Sequence, residues 1–221
     1  MKSEFFARIL SSIILIPILL FFIIKGGYLF NYFILICLLI SIYEWIKMTN
    51  KKVYKIPGVI FLISSFFSVY YLRNKIPSDY TFFIMTLFIC IFTDIGGYLF
   101  GKLFKGPKLT KISPKKTYAG AVGGYFFSLL FIFFFFNYAE YISDITILEF
   151  SVEKISVSIL ILTLLISSIS QLGDICVSYF KRKSNIKNTG NLIPGHGGLL
   201  DRIDGMIFAF PITSLIIKIF F

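Results

Sequence analysis

The sequence predicts an all-α fold, a polytopic transmembrane helical bundle of about seven spans with its N-terminus cytoplasmic. Three observations predict it. Hydrophobic residues make up 57% of the 221 and charged residues only 15%, too apolar a balance for an ordinary soluble domain. Apolar runs of bilayer-spanning length recur from one end of the chain to the other. Those runs are continuous, whereas a membrane β-barrel would show short alternating strands.

The spans fall at 7–24, 29–46, 57–72, 80–101, 117–136, 155–180 and 203–221. In the first, Lys2 and Arg8 precede "ILSSIILIPILLFFII", which has the look of a signal peptide. No small-x-small cleavage site follows, and Lys25 with two glycines closes the run, so it reads as a retained span. Short polar loops separate the others, and Pro57, Pro77, Pro107, Pro114 and Pro194 lie in or beside them. The chain therefore reads as one integral membrane domain, 1–221, with N-terminal spans over 1–92 and the chemistry-bearing spans and loops over 93–221.

Loop charge sets the orientation. With the N-terminus inside, the cytoplasmic parts (the N-terminus, 47–55, 102–116 and 181–202) hold 17 of the 22 basic residues. The loop at 137–154, with Glu140, Asp144, Glu149 and Glu153, falls outside, as does the C-terminus. Such a bias is the positive-inside pattern, and it accounts for the net charge of +11 without nucleic-acid binding. Cys37, Cys90 and Cys176 lie in apolar stretches with no CxxC spacing, so they form neither a disulfide framework nor a zinc site.

Three polar stretches could carry chemistry. In "TDIGGYLFGKLFKGPKLTKISPKKTYAG", residues 93–120, Asp94 is an acid within a span. Six lysines follow it. They can be read as an anchor for anionic headgroups; alternatively, Lys115 and Lys116, with the hydroxyls of Ser113 and Thr117, suit a polyphosphate. Gly96 to Lys102 mimics a nucleotide P-loop, but Leu103 replaces the required Ser/Thr and no strand precedes it. Gly97, Gly101, Gly120 and Gly124 read instead as small-residue contacts between helices.

In "SQLGDICVSYFKRK", residues 170–183, Gln171, Asp174, Ser178 and Lys181 share a helix face. Asp174 is either a functional intramembrane acid or half of a structural salt bridge. In "NLIPGHGGLLDRIDGM", residues 191–206, proline and glycines disfavour helix and let backbone N–H groups approach an anion. Asp201 and Asp204 follow at i and i+3, either complementing a helix start or holding a cation with a substrate. His196, the single histidine, reads first as a satisfied polar residue. Glu44, beside Trp45 and Lys47, reads as an interfacial residue. Together the acids, lysines and glycine turns suggest Mg²⁺ on a polyphosphate at the membrane face, with a lipid as second substrate.

These residues resemble a known family. "SYFKRKSNIKNTGNLIPGHGGLLDRID", residues 178–204, is similar to the signature of phosphatidate cytidylyltransferases, also called CDP-diacylglycerol synthases. "ISPKKTYAG" resembles that family's second characteristic stretch, and "DIGGYLFGK" its Asp-Thr-Gly-Ala-Tyr-type segment. Asn188 stands where that signature has Asp, and Ala119 where its second stretch has Glu. The resemblance implies transfer of cytidylate from CTP to phosphatidate, giving CDP-diacylglycerol and pyrophosphate, with Mg²⁺ and possibly a second cation. It implies Asp174, Lys181, Arg182, His196, Asp201, Arg202 and Asp204 as catalytic residues, with Asp174, Asp201 and Asp204 on metal. Ser113, Lys115, Lys116, Thr117, Ser178, Lys187, Gly197 and Gly198 would bind substrate. It also implies a bacterial inner-membrane location, an active site facing the cytoplasm, and a homodimer. The competing readings are a CTP-dependent polyprenol or lipid kinase, which would release CDP, and a non-catalytic scaffold or cation transporter.

Overall fold

A computed structural model describes residues 17–49, 53–74, 81–145, 157–192 and 197–220. Helix α1 is described over 17–25. There follow α2 (Gly27–Met48), α3 (Lys55–Asn74), α4 (Thr81–Phe104), α5 (Tyr118–Ile145), α6 (Val157–Lys183), α7 (Leu200–Ile203) and α8 (Met206–Phe220). No strand forms among the described residues beyond an isolated antiparallel bridge between Lys108 and Thr117. The all-helical class is as the composition demanded.

Five helices are long and apolar enough to cross a membrane: Gly27–Met48, Lys55–Asn74, Thr81–Phe104, Tyr118–Tyr138 and Val157–Lys183. They match the second to sixth predicted spans within a few residues. Most of the first predicted span lies outside the described residues. The seventh differs from the sequence reading. Residues 204–205 form a turn, leaving α8 with 15 residues, about 22 Å at 1.5 Å per residue against a hydrocarbon core of about 30 Å. The cause is local: Asp204 Oδ1 accepts the N–H of Gly205 at 3.1 Å. A Cβ on Gly205 would sit 2.8 Å from the Ser170 carbonyl oxygen, so only glycine permits that approach.

The chain divides into two compact units, one of Met1–Tyr70 with Phe180–Ile203, the other of Tyr71–Tyr179 with Asp204–Phe221. In the first, Trp45 is buried and meets Phe180 edge-on at 5.2 Å, while its indole N–H donates to the Lys55 carbonyl at 3.1 Å. Gly58 makes this possible, because a Cβ there would fall 2.0 Å from the indole. Pro57 sits in the first turn of α3, where no intrahelical N–H is lost.

In the second unit, α4 packs extensively on α5. The tightest approach is Gly96 against Gly123, where a Cβ on Gly96 would lie 2.2 Å from the Gly123 carbonyl oxygen. Gly97, Gly101 and Gly120 flank this contact, as their spacing suggested. Gly124 instead faces Thr93 and Gln171. Hydroxyl pairs join α6 to its neighbours, Thr93 Oγ1 donating to Ser167 Oγ at 2.9 Å and Tyr125 pairing with Ser168 at 2.8 Å. Such pairs are the polar contacts that hold helices together in lipid. The Gly96–Lys102 segment is regular α4 helix and makes no phosphate loop.

Candidate functional site

The sequence-predicted residues gather in two clusters, one in each unit. The first is built on the C-terminal end of α6 and the loop that follows. The second lies on α6 and the loop before α5, where Lys116 and Ser178 meet Asp174.

Helix α6 ends where Asn185 takes a left-handed φ of 56°, a conformation Asn tolerates. Its turn is closed by the Ile186 N–H donating to the Lys181 carbonyl at 3.0 Å. This termination leaves Lys181, in the last turn, facing the loop. Its Nζ lies 2.9 Å from Asp201 Oδ1, both side chains almost withdrawn from solvent at 11% and 7% exposure. The other carboxylate oxygen, Oδ2, accepts the N–H of Thr189 at 2.8 Å and of Gly198 at 3.1 Å. Gly197 has a φ of +94°, which a side chain would strain. Asp201 is thus neutralised by one lysine and held by two backbone amides.

Behind this loop stands Glu44 of α2, which the sequence reading placed at an interface. The structure adds that its carboxylate is withdrawn from solvent. Glu44 is only 3% exposed. Its Oε2 accepts the Thr189 hydroxyl at 2.8 Å and the Leu200 N–H at 2.9 Å, and its Oε1 accepts the Leu199 N–H at 2.9 Å. Sequence reasoning missed both Glu44 and Thr189. The available signal was an acid inside an apolar span, which by default marks function. A cleft of about 360 Å³ opens beside it, lined by Leu39, Tyr43, Glu44, Lys47, Thr189 and Leu192 among others.

Arg182, Lys187, Asn188 and Arg202 are exposed around this cluster. Lys183 lies 5.1 Å from the centre of the Tyr54 ring, a cation–π arrangement. His196, predicted to be catalytic, lies outside the described residues.

The second cluster centres on Asp174, in the C-terminal half of α6. Its Oδ2 is ion-paired with Lys116 and its Oδ1 accepts the Ser178 hydroxyl at 3.3 Å. Lys116 Nζ also donates to the Gln171 carbonyl at 3.2 Å. Lys116 reaches this position because the 105–117 loop is closed on itself. The Leu109 N–H donates to the Lys116 carbonyl at 2.8 Å, and the Lys116 N–H to the Ser113 carbonyl at 3.0 Å. Thr117 Oγ1 accepts the Gly120 N–H at 3.0 Å, an N-cap that starts α5. Its oxygen is therefore used structurally, while its O–H remains a donor. Lys115 is exposed and Ser113 half-buried. Asp204 is buried at the turn before α8.

The chemical character of the two clusters is alike: an aspartate neutralised by a lysine, with amide or hydroxyl donors on the same carboxylate. Among the described residues no three His, Cys, Asp or Glu side chains converge as a metal cage. Mg²⁺ seldom needs one, since it is commonly held by one or two carboxylates together with substrate phosphates.

Comparison with known proteins covers nearly the whole chain. The model of the cytidylyltransferase family matches residues 6–76 and 59–220. The phosphatidate cytidylyltransferase of Rickettsia bellii is 34% identical over 220 residues, covering 97% of this chain and 91% of its own length. That of Rickettsia felis is 32% identical over 219 residues, covering 97% and 93%. That of Staphylococcus aureus strain COL is 28% identical over 272 residues, covering 98% and 99%.

Proposed function

The chain belongs to the cytidylyltransferase family, and from that premise we propose that it transfers cytidylate from CTP to phosphatidate, forming CDP-diacylglycerol and pyrophosphate. The observation that carries the reading is chemical. Both clusters present a lysine already placed on an aspartate, Lys181 on Asp201 and Lys116 on Asp174. A lysine so placed can turn to a phosphate oxygen when a cation takes its carboxylate.

In this reaction a phosphate oxygen of phosphatidate attacks the α-phosphorus of CTP. The bond from that phosphorus to the oxygen bridging to the β-phosphate breaks, and pyrophosphate leaves. No protein nucleophile is required. Positioning and charge neutralisation supply the rate. Lys116, Lys181, Arg182 and Lys115 would bind phosphate oxygens, and the amides beside Gly197 and Gly198 would orient the loop toward them. The carboxylates of Asp174, Asp201 and Asp204 are hard oxygen donors that suit Mg²⁺, with Asp174 and Asp201 each able to exchange a lysine for a cation. When bound, Mg²⁺ would neutralise polyphosphate charge and polarise the reacting phosphoryl group.

The five apolar helices make this an integral membrane protein. We propose seven spans in a bacterial inner membrane, the short α8 counted as the last despite its 15 residues, with the N-terminus and both clusters' loops cytoplasmic. The support is the 17 of 22 basic residues that this orientation collects on one side. Cytosolic CTP would then meet a membrane lipid there. A homodimer is part of the same proposal.

The test is purified protein with cytidine-labelled CTP, phosphatidate vesicles and Mg²⁺. Lipid-linked cytidylate with equimolar pyrophosphate is the expected outcome. Release of CDP with a newly phosphorylated lipid would make the chain a lipid kinase instead.

A further inference from the structure

The reaction as written leaves Glu44 without a part, although it is among the most buried charged side chains described. A carboxylate withdrawn from water is costly unless its oxygens are satisfied. Glu44 meets that condition through three donors that all come from the loop around Asp201: the Thr189 hydroxyl and the N–H groups of Leu199 and Leu200.

The loop composition is fitted to this carboxylate. A Cβ on Gly190 would sit 2.7 Å from Glu44 Oε1, and one on Gly198 2.5 Å from Oε2. Both distances are too short for a real contact, so a side chain at either position would have to push the Glu44 carboxylate away from its present place against the loop. Thr189 links the two acids directly. Its hydroxyl donates to Glu44 at 2.8 Å while its N–H donates to Asp201 at 2.8 Å. Along 198–200 the amides are likewise shared between the two acids: Gly198 donates to Asp201, and Leu199 and Leu200 to Glu44.

We propose that Glu44 is a positioning residue for the cytidylyl transfer: from α2 it holds residues 189 and 198–200 in the conformation whose amides fix the Asp201 carboxylate against Lys181. The inference rests on the proposed reaction for its rate consequence, and on the hydrogen bonds alone for its effect on the loop. Glu44 touches no reacting atom in this account. It acts through Thr189 and the loop backbone.

The discriminating variant is Glu44→Gln. The amide keeps one acceptor oxygen but turns an NH₂ toward groups that are themselves donors. The expected result is a fall in kcat of about 10–100-fold, the usual cost of removing a group that orients a ligand-bearing residue. Amide hydrogen exchange should rise over 188–201 while peptides of α4 and α5 keep wild-type protection. Thr189→Val, which removes the hydroxyl link and keeps the N–H on Asp201, should lower kcat in the same direction. Combining it with Glu44→Gln should cost no more than the worse single change. Wild-type kcat in Glu44→Gln, exchange rising equally throughout the chain, or fully additive losses would each overturn the proposal. Should Glu44→Gln not be recovered folded, Thr189→Val decides by the same two readouts. If the wild-type protein makes no lipid-linked cytidylate, the reaction is wrong, and the exchange experiment still decides whether Glu44 holds the loop.

Discussion

Lys181 and Asp201 meet at 2.9 Å across the loop that joins α6 to α7, with 11% and 7% of their side chains exposed. At that depth the pair depends on mutual neutralisation. Removing one partner from a buried ion pair costs about 3–5 kcal/mol, because the other charge is left uncompensated. Lys181→Met should therefore lower thermal stability in detergent as well as turnover. Asp201→Asn should abolish turnover and also lower stability, since its amide oxygen can still accept from Thr189 and Gly198 but Lys181 loses its counter-charge. A turnover rate near wild type for Asp201→Asn at low Mg²⁺ would remove Asp201 from the cation site.

The Lys116–Asp174 pair behaves differently because it is wetter, at 23% and 28% exposure. A partly solvated pair contributes only about 0–1 kcal/mol to stability. Asp174→Asn should thus leave the melting temperature almost unchanged and still abolish turnover. Measuring both quantities on one preparation checks the contrast. A large stability loss with retained activity would make Asp174 a structural salt-bridge partner.

Lys115 and Arg182 are exposed, so their neutralisation should not disturb the fold. Lys115→Gln and Arg182→Gln should each cost roughly 1.5–3 kcal/mol in kcat/KM for CTP, the range for hydrogen bonds to charged groups. Steady-state kinetics in vesicles supplies the comparison. Variants altered only in membrane insertion would mark these residues as lipid anchors.

Asn188 is exposed and lies beside Gly197, near which the Asp201 carboxylate also comes. An Asp there would add charge close to one already neutralised by Lys181. Asn188→Asp should therefore change turnover by less than about tenfold, below about 1.4 kcal/mol. A gain of several hundredfold would mean that this chain is a weakened form of its family's enzyme.

Sidedness can be read without any activity. In a background with Cys37, Cys90 and Cys176 replaced by serine, cysteines at 108 and 185 should label from the cytoplasm and one at 146 from outside. Cys176 is exposed on α6 and would otherwise react. Labelling of 108 and 146 from the same face would refute the seven-span order.

Much of this protein is written locally. Hydropathy is a property of consecutive residues, so the second to sixth helices were legible as apolar runs bounded by polar loops. The helix-packing glycines were nearly legible, 97 and 124 each lying one residue from the tighter Gly96–Gly123 contact. Gly197 and Gly198 were legible as non-helical, residues 193–196 of the same stretch lying outside the described residues, and the family was legible from its signature residues. What the sequence alone could not supply was pairing. It offered Asp174 the nearby cations 181–183, but Asp174 found Lys116 and Lys181 found Asp201. It showed Thr117 as a hydroxyl without showing that its oxygen caps α5. Glu44 is the clearest case. Its hydrogen-bond partners lie 145 to 156 residues away in the chain, and whether a carboxylate in an apolar span faces lipid headgroups or a loop's amides depends on which backbone the fold packs against it. That choice is made by three-dimensional proximity, which no spacing along the chain encodes.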